Sequence, residues 1–182
     1  LDSYSQGVYY SFLSLGALSI FAELGFSRLV SVFIGHEFSK IEFKDGLLYG
    51  PEEALNRIFS YCSFSLKTYS IIIIAALIVL VPSGIYLFRN ETAFIHVCWI
   101  LFAITNGLTL LTSYLQAIGL GLNDVAKVNK SIVFSGLVGT SALWISLALN
   151  LDVMSLPIAF LITAIATLIY LWGEYKSLFL QW

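Results

Sequence analysis

The hydrophobic positions of this chain fall into five long runs, at about 7–35, 58–88, 93–119, 131–150 and 156–173, parted by short polar segments. Each run is long enough to cross a bilayer as a helix, which takes about 20 residues. Runs such as Ile71–Val81 show no alternation of apolar and polar positions, which excludes the strands of a membrane barrel. In lipid the backbone must satisfy its own hydrogen bonds, so the remaining solution is helical. The pattern predicts an all-α fold, a polytopic transmembrane helix bundle of about five spans, with 1–182 forming a single transmembrane domain.

The polar segments place the loops. The longest, about 36–57, carries Glu37, Lys40, Glu42, Lys44, Asp45, Glu52 and Glu53. Pro51-Glu52-Glu53 reads as a helix start, with proline in the first turn and acids at the positive end of the dipole. Residues 53–66 then form an amphipathic lead-in to the second span. Arg89-Asn90-Glu91-Thr92 makes a tight connection after a Pro82-Ser83-Gly84 kink, and its match to a glycosylation sequon is read as a turn beside the membrane. A third loop, 119–130, holds Gly119, Gly121, Asn123, Asp124, Lys127 and Lys130, and a fourth, 150–155, holds Asp152. Lys40, Lys44, Arg57, Lys127, Lys130 and Lys176 fall on one side of this topology and only Arg89 on the other. The positive-inside rule makes the first side cytoplasmic, with the N-terminus outside and the C-terminus inside. An odd number of spans with an external start is expected of a chain missing its first helix. The start at Leu1 also lacks a basic n-region and a cleavage pattern, so a fragment rather than a signal peptide is expected.

Composition narrows the class. Of 182 residues, 59% are hydrophobic and 11% charged, with a mean hydropathy of +0.90. A soluble domain carries about 25% charged residues. The net charge of −2 says little about partners, but without a basic run no nucleic-acid partner is indicated, and the lipid bilayer is the expected one. Cys62 and Cys98 sit near opposite ends of different spans, too far apart for a disulfide. There is no metal-ligand spacing, phosphate loop or nucleophile–base set, so no cofactor, metal site, catalytic residue or enzyme activity is expected.

Chemistry is left to the polar residues inside the runs. Arg28 lies about 12 Å above the cytoplasmic end of its span and Lys67 about 15 Å above the end of its own, if the helices are straight. A charge at mid-membrane costs about 2.5–3.5 kcal/mol, so two at similar depth point to an anion site facing the bundle interior. The competing reading is that both raise their heads to the interface while their stems stay in lipid. Glu23, about 20 Å up, is within reach of Lys67 and would pair with it, leaving Arg28 for a ligand. Glu23 and Arg28 are five apart and do not share a helix face, unless Gly25 loosens the helix between them. Asn106 and Gln116 on the third run complete the candidate binding set, although amides in lipid more often bond a neighbouring helix. Gly136 and Gly139 share one face of the fourth run and would allow close packing there.

Four stretches carry a resemblance: Gln6-Gly7-Val8-Tyr9-Tyr10-Ser11-Phe12, Leu15-Gly16-Ala17-Leu18, Ala22-Glu23-Leu24-Gly25-Phe26 and Phe33-Ile34-Gly35-His36-Glu37. Their entry, Glu-Leu-Gly break and His-Glu exit resemble the second helix of bacterial polysaccharide (O-antigen) flippases. These belong to the multidrug/oligosaccharidyl-lipid/polysaccharide flippase (MATE-like) superfamily. The segments 114–121 and 125–130 are similar to the hairpin between helices four and five of that family. The resemblance implies helices two to six of one six-helix lobe in a two-lobe transporter of the bacterial cytoplasmic (inner) membrane. It implies flipping of lipid-linked oligosaccharide by alternating access, with the remainder of the chain as partner. Cationic residues would hold the substrate's diphosphate, a role falling to Arg28 with Lys67 assisting.

Three rival readings stand beside it. In an ion-coupled multidrug exporter of the same superfamily, Glu23 would carry a proton or sodium ion. In a non-transporting scaffold subunit, Arg28 and Lys67 would face lipid headgroups. A membrane glycosyltransferase would need Glu37, Glu42 and Asp45 as loop acids, where a solvated face is the simpler account.

Overall fold

The computed structural model describes residues 2–44 and 47–181. Asp45, one of the loop acids named above, lies outside the described residues. In chain order the elements are α1 (Ser3–Gly16), α2 (Leu18–Glu23), α3 (Phe26–Phe38), β1 (Glu42–Lys44), β2 (Leu47–Tyr49), α4 (Glu52–Leu87), α5 (Ala93–Gly121), α6 (Val125–Ala148), a 3₁₀ turn (Asp152–Met154) and α7 (Ser155–Gln181). The architecture is an all-α helical bundle. One small feature departs from that expectation: β1 and β2 pair antiparallel inside the expected 36–57 loop, with Phe43 opposite Leu48.

The first apolar run is not one helix. Asp2 opens α1 by accepting the Ser5 N–H at 2.7 Å. Ala17 keeps right-handed helical angles, so α1 and α2 follow each other closely. Leu24 (φ 48°) and Gly25 (φ 73°) then adopt left-handed conformations in succession, ending α2 and starting α3. A left-handed non-glycine residue costs about 1–2 kcal/mol, so this break is held against a local preference. By contrast α4 absorbs both the expected amphipathic lead-in and the proline. Pro82 lies inside the helix, which continues to Leu87 rather than ending in a kink. The indole N–H of Trp99 on α5 donates to the carbonyls of Leu80 (3.1 Å) and Val81 (3.3 Å) in the same turn.

Four helical segments, Glu52–Leu87, Ala93–Gly121, Val125–Ala148 and Asp152–Leu178, are long and apolar enough to cross a membrane. Their apolar residues face outward as well as inward. Only 17% of the most apolar window of α4 is buried, against 50% for α5. Ile71 and Ile78 on α4 and Leu137 and Trp144 on α6 are all more than half exposed. Soluble monomers rarely show contiguous apolar surface of this extent. The chain is a multi-pass membrane protein, and a lipid bilayer is the environment its outer faces fit.

α5 runs through the middle and touches each of the other described helices. Two packed clusters form along it. In one, Phe12 of α1 meets Phe88 (ring centres 5.2 Å), Trp99 (5.1 Å) and Phe102 (5.6 Å). In the other, Ile34, Ile58, Tyr69, Tyr114, Leu171 and Tyr175 are buried together beneath the strand pair. Cys62 belongs to this second cluster and Cys98 to the first, and both thiols are free and buried. The strand pair, the α5–α6 turn and the end of α7 lie at one end of the bundle. Gln181 fixes this β end by bonding both backbone groups of Leu48, at 3.0 and 2.9 Å. At the opposite end the Tyr4 hydroxyl donates to Glu91.

The two glycines expected to share a packing face behave differently. A Cβ on Gly139 would overlap Thr163 of α7 and sit 3.3 Å from the Ala159 carbonyl, whereas one on Gly136 would meet nothing within 4 Å. Gly139 alone of the two is the point of close approach. Gly139→Ala is expected to destabilise the protein by about 1–3 kcal/mol through overpacking. Gly136→Ala is expected to be neutral or to stabilise by up to about 1 kcal/mol from helix propensity. Thermal unfolding in detergent compares the two, and equal melting temperatures would remove the α6–α7 contact from this account.

Candidate functional site

The break at Leu24–Gly25 sets the geometry of the polar residues. It leaves Glu23 as the last residue of α2 and Arg28 in the first turn of α3. Glu23 is half-buried, and its Oε1 accepts the Tyr69 hydroxyl at 2.6 Å. This is a correction: Glu23 was expected to pair with Lys67, and among the described residues it forms no ion pair with it. Two positions separate Lys67 from Tyr69, a turn of about 200° on the helix, so α4 cannot offer both to Glu23.

Tyr69 is the centre of this site. It is fully buried, with Phe26 on one side (ring centres 5.6 Å) and Tyr114 on another (5.4 Å). The Tyr114 hydroxyl in turn donates to the Cys62 carbonyl at 2.9 Å. A polar line thus joins α2 to α4 and α4 to α5. Neither tyrosine was among the expected site residues. A hydropathy reading counts the ring and misses the hydroxyl, although a tyrosine on a membrane helix needs a partner for its O–H when buried.

Arg28 and Lys67 are level with each other. Phe26 against Tyr69 and Phe33 stacked on Tyr61 (5.8 Å) set α3 and α4 antiparallel in a register that matches residue 28 to 67. The similar depth was expected from residue spacing. Their direction was not. Each stands about 200° around its helix from the ring that makes the α3–α4 contact. Both side chains are exposed, and among the described residues neither makes an ion pair. The structure therefore does not bring them together inside this bundle.

The two amides differ. Asn106 is buried, donates to the Phe102 carbonyl at 2.8 Å and accepts the Ser19 hydroxyl at 3.4 Å, tying α5 to α2. Gln116 is half-buried and makes no hydrogen bond among the described residues. No group of three metal-ligating side chains occurs among the described residues.

A second charged site occupies the β end. The Glu37 carboxylate, 5% exposed, takes Lys40 at 2.9 Å, His36 at 3.4 Å and Arg57 at 3.7 Å, and Arg57 also reaches Glu53 at 2.5 Å. Beside it Lys127 bridges Asp124 (3.1 Å) and Glu174 of α7 (3.3 Å), with its ammonium over the Phe43 ring. The Lys40 hydrogen bond, then His36 and Arg57, hold the Glu37 carboxyl below its ordinary value of 4.5, against the opposing effect of desolvation.

The chain matches no protein-family model, no curated protein and no solved structure.

The lowered Glu37 pKa has a signed consequence. A carboxylate depressed by folding stabilises the fold fully above its unfolded value and loses that contribution as pH falls through its folded one. The melting temperature is expected to fall as pH drops below about 4.5. Glu37→Gln is expected to start lower at pH 7 and to respond less to acid. Parallel pH curves for the two proteins would show that this cluster does not couple to stability.

Proposed function

We propose that this bundle is one lobe of a transporter that flips lipid-linked oligosaccharide across a bacterial cytoplasmic membrane by alternating access. The observation that supports it most is the level pair Arg28 and Lys67, exposed on the outer faces of α3 and α4 with no partner among the described residues. A mid-span cation facing bare lipid is costly, so such residues tend to face a cavity or another part of the assembly. Arg28 follows a helix break, the place where membrane transporters commonly put their substrate sites. In this reading both cations form one wall of a cavity between this lobe and a second one. They hold the diphosphate of the substrate, the lipid tail stays in the bilayer, and rocking of the lobes moves the headgroup across. The β end, rich in lysine and arginine, is then cytoplasmic.

In the full-length protein Arg28→Ala is expected to lower export of lipid-linked sugar at least tenfold, and Lys67→Ala to lower it less. Loss of a charged hydrogen bond to a phosphate, at about 1.5–3 kcal/mol, sets that scale. Export in reconstituted vesicles reads it, and unchanged export by Arg28→Ala would sink the assignment.

A second reading has its own support in the Tyr69–Glu23 hydrogen bond beside the break. A carboxyl held there could load and release a proton or sodium ion, as an ion-coupled drug exporter of the same superfamily requires. In that case Glu23→Gln abolishes gradient-driven drug resistance while Arg28→Ala does not. If Glu23→Gln leaves resistance intact, the coupling role is excluded.

A further inference from the structure

A groove of about 770 Å³ opens on the outside of the bundle, walled by Leu66 of α4 and by α7, with α5 as its floor. Its walls are apolar, and its floor offers no spare donor because the Tyr114 hydroxyl is committed to the Cys62 carbonyl. The exception is Lys176 at one end. From Leu168 to Lys176 the groove follows α7 for eight residues, about 12 Å of helix. That is close to half of the roughly 30 Å hydrocarbon core, the depth of a single leaflet.

Lys176 lies toward the β end, where Lys40, Lys127 and Arg57 make their ion pairs. Unlike Lys127, it has no ion pair among the described residues. Trp172, one turn further into the groove, has the residue type that settles at the headgroup boundary. A Cβ on Gly173 would meet nothing within 4 Å, so the position is open to the groove it lines. What the missing side chain leaves is the width of the groove.

We propose that this groove binds one acyl chain of an anionic phospholipid, with the lipid phosphate on Lys176. The apolar slot matches the chain, its length matches one leaflet, and Lys176, the one cation among the described lining residues, matches the phosphate. The site is on the lipid-facing side and does not depend on a transport activity.

The full-length protein, reconstituted in phosphatidylcholine vesicles with a trace of phosphatidic acid bearing a photoreactive diazirine on its acyl chain, tests this. Label is expected at 111–115 of α5 and 168–173 of α7. Lys176→Gln is expected to lower it about fivefold, the share one basic residue contributes at an anionic surface. Lys176→Arg restores it. Gly173→Leu, which fills the slot without a backbone clash, removes the groove label while the melting temperature is kept. Equal labelling by a phosphatidylcholine probe would mean ordinary boundary lipid and would overturn the site. So would label indifferent to both variants, or a second copy of the chain crosslinked in the groove in place of lipid.

Discussion

Close fit around α5 holds this bundle together, because its apolar exterior cannot. In lipid a leucine gains little by leaving one hydrocarbon environment for another, so helix association depends on packing and internal hydrogen bonds. The structure meets that requirement at a few tight points. Trp99 lies against Gly84, where a Cβ would overlap the indole, and its N–H bonds the α4 backbone. Phe102 sits 2.8 Å from where a Cβ on Gly16 would be, which brings α1 onto α5. Gly119 and Gly121 do the same for Val128 and Ile34 at the other end. Glycine against a large side chain is thus the repeated device, and it fixes helix position more sharply than the broad apolar faces could.

The break at Leu24–Gly25 depends on that framework. An isolated left-handed leucine is unfavourable, and the local bond from its N–H to the Phe21 carbonyl, at 3.2 Å, is only part of what holds it. The flanking segments are also anchored from outside. Ser19 bonds Asn106, Tyr69 bonds Glu23, and Phe26 packs on Tyr69. These contacts come from α4 and α5, so the strained corner is set by the rigid helices it leans on. A corner held in this way has a use only if its altered geometry matters, and it places Arg28 just beyond the break, level with Lys67.

Most of the helical layout was legible in the residues. The last four runs became helices because their apolar length leaves no other backbone solution in lipid, and the polar breaks at 88–92 and 149–154 are where the chain turns. The first run misled because hydropathy adds side chains and does not see φ. Leu24 scores like any helical leucine. The strand pair had no local signal either: three-residue strands containing Glu42 and Lys44 look like loop, and the group that docks them, Gln181, is 133 residues away from Leu48. The site was half legible. The depth of Arg28 and Lys67 follows from counting residues, but the partner of Glu23 was sought among cations, and a tyrosine hydroxyl supplied it.

Depth sorts the polar chemistry of this protein, and the exceptions carry the functional argument. Glu37, Glu53, Asp124 and Glu174 meet their lysines and Arg57 at the β end, where water can share the cost of ionisation. Further in, ion pairs give way to hydroxyls and amides that bond carbonyls and one another: Tyr114 to Cys62, Asn106 to Phe102, and Thr163 to Ala159. Such neutral bonds satisfy a buried group without leaving a charge in a medium of low dielectric. Glu23 is met there by the Tyr69 hydroxyl in place of a cation. Arg28 and Lys67 lie outside this pattern, since they are level with each other on exposed faces and make no ion pair among the described residues. Gln116 too makes no hydrogen bond among the described residues, so what sets Arg28 and Lys67 apart is that two cations share a level on exposed faces with no ion pair among the described residues, and that combination makes them the place to look for a ligand.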